Sequence, residues 1–216
     1  MNYSTLVQAI KDYTDNTETT FVNNIDNFIG QAERRILLDT DFPVFHKNVR
    51  GEITDSVTYL SKPTDFLTAF SLAVVGSDNV YTYLLPKDVS FMREFNQDTD
   101  TQGTPRYYGH FSNDSFIIAP VPDDDFTTEL HYKYSPAQLS SSNTTTWIGD
   151  NADTALLYGC LIEAYTFMKG EQDLMGLYSG RYESALSSLR KLGELDDRRD
   201  LYRNGNPFIM QQAASK

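Results

Sequence analysis

The apolar residues of this 216-residue chain repeat at a helical spacing near both ends and alternate at a strand spacing between them. That switch of period, made twice, constrains the fold more than any single motif. Leu6, Val7, Ile10 and Tyr13 form a short amphipathic stripe, with Thr5 and Gln8 spaced as a capping box. Phe21, Ile25, Phe28, Ile29, Ala32 and Ile36 continue at helical spacing to about Leu38, and Pro43 marks the end of that second helix. From Val44 the pattern becomes short β-rich runs punctuated by Gly, Pro, Asn and Asp. The runs are Val49–Ile53, Val57–Leu60, Ala69–Val75, Val80–Leu85, Arg106–Phe111, Ser115–Ala119 and Thr128–Tyr134, with a helical turn or two over Lys87–Asn96. Ser112-Asn113-Asp114 reads as a hairpin turn. After the polar linker Ser140–Thr146, Asp150 or Asn151 is placed to cap a helix running to about Lys169, which Gly170 breaks. Leu174, Leu177, Tyr178, Tyr182, Ala185, Leu186, Leu189 and Leu192 mark a last, long helix.

Neither terminal helix pair can bury its apolar stripe alone, so the two pairs are expected to pack on one another. The predicted class is therefore α+β. Residues 1–43 and 147–195 form a four-helix bundle, and residues 44–146 form an inserted antiparallel β-sandwich or barrel with its linker. Residues 196–216 form an extended C-terminal tail.

Charge narrows the range of partners. With 30 Asp and Glu against 18 Lys and Arg, the formal charge is −12, so sequence-independent binding to a phosphate backbone is not expected. A single cysteine, Cys160, excludes an intrachain disulfide and fits assembly in a reducing host cytoplasm. The Met1-Asn2-Tyr3-Ser4 start lacks the regions of a signal peptide, and no apolar run approaches the roughly 20 residues of a membrane span. The 14 Tyr and 13 Phe suit half-buried strands and subunit interfaces, where a ring supplies contact area at low entropic cost.

The residues offer little to catalysis. His46, His110 and His131 have no metal-ligand spacing, and no Gly-rich loop is present to cradle a phosphate. Cys160 sits mid-helix among leucines, as a buried structural thiol does. Pro122-Asp123-Asp124-Asp125 lacks the spaced ligands of a calcium loop and reads as a solvated acidic turn. Glu163, on an otherwise apolar helix, needs a partner, with Arg34, Arg35 or a neighbouring subunit as candidates. No catalytic residue, metal or cofactor is expected. Trp147, after the linker, reads as an anchor at the junction of bundle and β domain, together with Tyr158. The tail carries Phe208-Ile209-Met210, an apolar patch that either folds back on the bundle or docks on another protein.

Several ordered patterns resemble the head-to-tail adaptors of tailed bacteriophages, including the tail tubular A proteins of podoviruses. They are Tyr59-Leu60-Ser61-Lys62-Pro63-x-Asp65-Phe66-Leu67, Gly103-x-Pro105-x-x-Tyr108, Pro120-x-Pro122 and Tyr134-x-Pro136-x-x-Leu139. Trp147-Ile148, Leu156-Leu157-Tyr158-Gly159, Glu163-Ala164 and a final Tyr178…Tyr182…Leu186 helix complete the set. The resemblance covers roughly residues 1–195. It implies a helical bundle with an inserted β domain, and a dodecameric ring in the neck of the virion, between the portal protein and the tail nozzle or tail tube protein. Genome DNA would pass through the lumen without specific binding. It also implies that the C-terminal segment reaches the portal, which makes Arg198, Arg199, Leu201, Tyr202, Arg203, Phe208, Ile209 and Met210 the expected docking residues. A virion receptor- or glycan-binding module built on the β domain is the alternative, and an enzyme is the remote third.

Overall fold

Asn2, rather than Thr5, starts the first helix of the computed structural model, which describes residues 1–98 and 100–197. Its Oδ1 accepts from the Thr5 backbone N–H at 3.0 Å, so α1 runs Tyr3–Thr14 and Thr5 lies inside its first turn. The second predicted helix is two, α2 at Thr19–Val22 and α3 at Ile25–Asp39. The break falls at Asn23-Asn24, where the Asn24 side chain donates to the Thr20 carbonyl at 2.8 Å and offers the backbone an alternative to the helical ladder. Two compact units follow from the chain's contacts: Met1–Phe42 with the chain from Ala137 on, and Pro43–Pro136.

In the helical unit the cap expected at Asp150 or Asn151 lies upstream. The Thr146 hydroxyl accepts from the Gly149 N–H at 3.1 Å and opens a short helix, α5, at Trp147–Asn151. Ala152 then interrupts before α6, Asp153–Met168. That helix is apolar around most of its circumference, as suits one surrounded by neighbours. Helices α1, α3 and α7 (Gln172–Asp197) all pack against it. Gly159 permits a close approach of α3 and α7, because a Cβ there would stand 3.0 Å from the Ala32 Cβ and 3.4 Å from the Tyr182 ring. The first and last helices thus bury their stripes on a shared partner: Leu6, Ile10, Ile29, Ala32, Ile36, Leu156, Leu161 and Leu186 are all sealed from solvent.

The β unit holds two open sheets and no closed barrel. The first has the order β1 (His46–Ile53), β8 (Phe126–Tyr134), β3 (Phe66–Val75), β4 (Tyr81–Tyr83). The second has the order β2 (Tyr59–Ser61), β7 (Ser115–Ala119), β6 (Tyr107–His110), β5 (Leu85–Pro86). All pairings are antiparallel except the short β5–β6 contact. Alternation along β8 puts Leu130 and Tyr132 on one face and Glu129 and His131 on the other. The inner faces share one core, with Leu72, Val74 and Leu130 from one sheet meeting Tyr108, Phe116 and Ile118 from the other. A seventh helical segment, α4 (Val89–Phe95), is capped by the Asp88 carboxylate and covers part of the second sheet's outer face through Met92, Ile117 and Ala119. Its approach requires Gly109, since any Cβ there would stand 2.8 Å from the Lys87 carbonyl oxygen. In β3 the register slips twice, at Leu67 and Phe70, and both side chains are exposed.

Candidate interaction surfaces

The predicted docking residues Arg198, Arg199, Leu201, Tyr202, Arg203, Phe208, Ile209 and Met210 lie outside the described residues. The other two predicted site residues fall in the helical unit. Trp147 packs its ring 5.1 Å from that of buried Phe42. Tyr158 lies 6.1 Å from Tyr178, whose other neighbour is Tyr165 at 5.0 Å. Burial and the Tyr165 hydroxyl raise the Tyr178 phenol to about 12.

Two carboxylates organise the same unit. Glu163 pairs with Arg35, one of the partners the sequence offered, and the Arg35 guanidinium also lies 5.9 Å from the Tyr182 ring. Glu33 is buried, and sequence reading missed it because it sits beside Arg34 and Arg35 in what looks like a charged helix face. Its two oxygens accept from the Leu139 N–H at 2.9 Å and the Thr146 hydroxyl at 3.0 Å, so it fastens residues 137–146 to α3. Burial lifts its carboxyl above the ordinary value, against the pull of those two donors. Cys160 is fully enclosed, and burial, with the Glu33 and Glu163 charges, pushes its thiol well above the ordinary range. A thiol so protonated is a packing group rather than a nucleophile.

In the β unit the Tyr59–Leu67 motif turns out to be a strap. The Lys62 ammonium donates to the Ser112 carbonyl at 2.5 Å and lies 4.9 Å from the centre of the Phe116 ring, tying the motif to the β6–β7 turn. Asp65 binds the Lys47 ammonium at 2.6 Å and the Tyr132 hydroxyl at 2.8 Å, joining the starts of β1 and β3 to the end of β8. Burial alone would lift the Asp65 carboxyl, but Lys47 and Tyr132 together hold it below its ordinary value. Burial, then Asp65 itself, raises the Tyr132 phenol to about 12.

The outer face of the first sheet carries a preformed polar cluster. Glu129 accepts from Asn48 at 2.9 Å, Arg50 at 2.9 Å and Tyr81 at 3.1 Å. Hydrogen bonds from Asn48 and Arg50 lower its carboxyl. His46, Phe70 and His131 are brought together on the same sheet, with ring centres 4.2 to 5.6 Å apart. Among the described residues no group of three His, Cys, Asp or Glu is placed to hold a metal ion. Nor is any helix among them long and apolar enough to cross a membrane. What this face offers is aromatic rings, paired ions and hydrogen-bonded polar groups.

No curated protein matches the sequence. Residues 1–210 match the family described as SU10 adaptor protein, so the match takes in both units. The chain therefore belongs to the SU10 adaptor protein family, and is a structural adaptor protein of a bacteriophage virion.

Proposed function

We propose that this chain is one subunit of a homo-oligomeric ring that joins the portal of a phage head to the tail nozzle or tail tube protein. The observation that carries the reading is the adaptor family match over residues 1–210. The ordered motifs of the tail tubular A proteins, met in the sequence, support placement in the neck and a dodecameric ring. Neighbouring subunits associate through the aromatic-rich surfaces of the helical and β units. Packaged DNA passes through the lumen without specific contacts, because the chain's net charge of −12 does not retain a polyanion. The role is structural and needs no cofactor.

The C-terminal segment is the portal-docking element in this reading. Its apolar residues contribute about 25 cal/mol per Å² once buried, against an ordering cost of about 1–2 kcal/mol per residue. A firm joint therefore depends on repetition around a ring. The test is a reconstruction of portal-bearing heads incubated with purified full-length protein or with a truncation after Leu195. The full-length chain is expected as a closed ring on the portal, while the truncation stays folded and fails to attach. Equal occupancy by the truncated chain would move the portal contact to the helical unit. Density for the chain at spikes or fibres would replace the reading with a receptor-binding one.

A further inference from the structure

A groove of about 430 Å³ lies where the start of α6 meets the C-terminal half of α7. Buried Ala152, Ala155 and Leu189 line it with Ala185, Leu192 forms a lip that is 51 % exposed, and Asp153 stands at the rim. Such a small-residue floor with an exposed leucine at its edge leaves concave apolar surface uncovered on the helix pair. We propose that the groove holds the chain's own C-terminal segment in the free subunit, with Phe208, Ile209 and Met210 as its occupants.

Three features select this occupant. The groove's α7 wall runs directly into the segment, so no second molecule is needed to bring it there. Asp197 ends α7 about 7.5 Å beyond Leu192 at 1.5 Å per helical residue. The eleven residues from Asp197 to Phe208 span up to about 36 Å when extended, ample to turn back over that distance. The third feature is charge. Residues 198–216 hold four basic side chains (Arg198, Arg199, Arg203, Lys216) against one acidic, Asp200, on a chain whose total is −12. A basic segment with an apolar centre fits an apolar groove whose one charged lining residue is Asp153.

The groove then acts as a latch. Phe208, Ile209 and Met210 cannot occupy it and a portal at once, so a portal must compete for them. This consequence, unlike the latch itself, rests on the docking reading given above. A latched tail would also keep its apolar centre from joining free subunits together before a head is present.

Disulfide trapping in the full chain tests the latch. Ser188 lines the groove and is exposed, whereas neighbouring Ser187 is exposed on the α7 face turned away from Leu189. The pair Ser188→Cys with Gln211→Cys is expected to close an intramolecular disulfide several-fold faster under mild oxidation than Ser187→Cys with Gln211→Cys. Tethering alone presents the tail to both positions at similar effective concentration, so only a seated tail separates the two rates. Leu192→Glu, a change at an exposed position, is expected to erase the difference while leaving the helical content intact. Equal rates for the two pairs would overturn the proposal. So would a disulfide formed only between two molecules, or a rate difference that survives Leu192→Glu. No portal is present in the experiment, so its result stands apart from the fate of the docking reading.

Discussion

Replacing Glu33 with leucine removes the buried carboxylate that fastens residues 137–146 to α3. Two hydrogen bonds go with it, from the Leu139 N–H and the Thr146 hydroxyl. Bonds to an ionised group contribute about 1.5–3 kcal/mol each, and a buried donor left without a partner costs about 1–3 kcal/mol. Part of that is offset because leucine no longer carries a buried charge. A net loss of about 2–4 kcal/mol is expected for Glu33→Leu. Glu33→Gln should lose about 1 kcal/mol, because the amide oxygen still accepts from Leu139 and its NH₂ still reaches the Thr146 hydroxyl. At roughly 3 °C per kcal/mol for a chain of this size, the leucine variant should melt about 6–12 °C lower by circular dichroism. The pH dependence has a definite sign. The folded protein holds the Glu33 proton to a higher pH than the unfolded chain, whose value is near 4.5. The contribution of Glu33 is therefore complete below that pH and shrinks as pH rises through the raised value. The penalty of Glu33→Leu should be larger at pH 4 than at pH 7. A leucine variant that melts with the native protein at both pH values, or a penalty that grows with pH, would refute the reasoning.

Asp65→Ala should cost about 1–3 kcal/mol by releasing Lys47 and the Tyr132 hydroxyl. Its pH dependence is opposite to that of Glu33: the lowered carboxyl gives a contribution that is complete above 3.8 and fades as pH falls through its folded value. Urea titrations at pH 3 and pH 7 should therefore show the smaller penalty in acid. Gly159→Val, which adds a branched side chain where a Cβ already stands 3.0 Å from Ala32, should destabilise the helical unit by about 1–3 kcal/mol. The same change at exposed Gly176, where nothing lies within 4 Å, should be neutral or stabilise by about 0.3 kcal/mol, because glycine is the poorer helix former. Equal melting curves for the two valine variants would mean that α3, α6 and α7 do not meet at Gly159.

Periodicity carried the order of elements because each helix and strand buries one face, and burial leaves its spacing in the sequence whatever the partner. Ser115–Ala119 was legible to the residue, since a short continuous apolar run there meets turn residues at both ends. What failed was local and polar. Asn24 split the second helix through a side-chain bond that apolar spacing does not record. Thr146 took the cap expected of Asp150 or Asn151, because Ala152 interrupts the ladder and adds a short helix ahead of α6. Glu33 was unreadable for a related reason: a carboxylate accepting from Leu139 and Thr146 depends on contacts more than 100 residues away, and no local pattern encodes them. Its neighbour Arg35 was legible only as one of several partners for Glu163.

Three carboxylates show what the polar groups of this structural adaptor do for its fold. Glu33, Asp65 and Glu129 each use two or three donors from different segments, so their charges are spent on fixing strands and linkers in place. Such a carboxylate holds a surface rigid, which reduces the ordering cost when that surface meets a partner. Aromatic faces on the β unit, such as Tyr81 and Tyr83 beside the Arg50–Glu129 pair, would suit the repeated contacts of the proposed ring. On the docking reading proposed above, the apolar residues of the C-terminal segment would serve the opposite task, a contact formed late, on a head already built. On the proposed reading, the two kinds of surface divide the work by their physical chemistry: preorganised faces would set the geometry of assembly, and a segment with a competing resting place would set its timing.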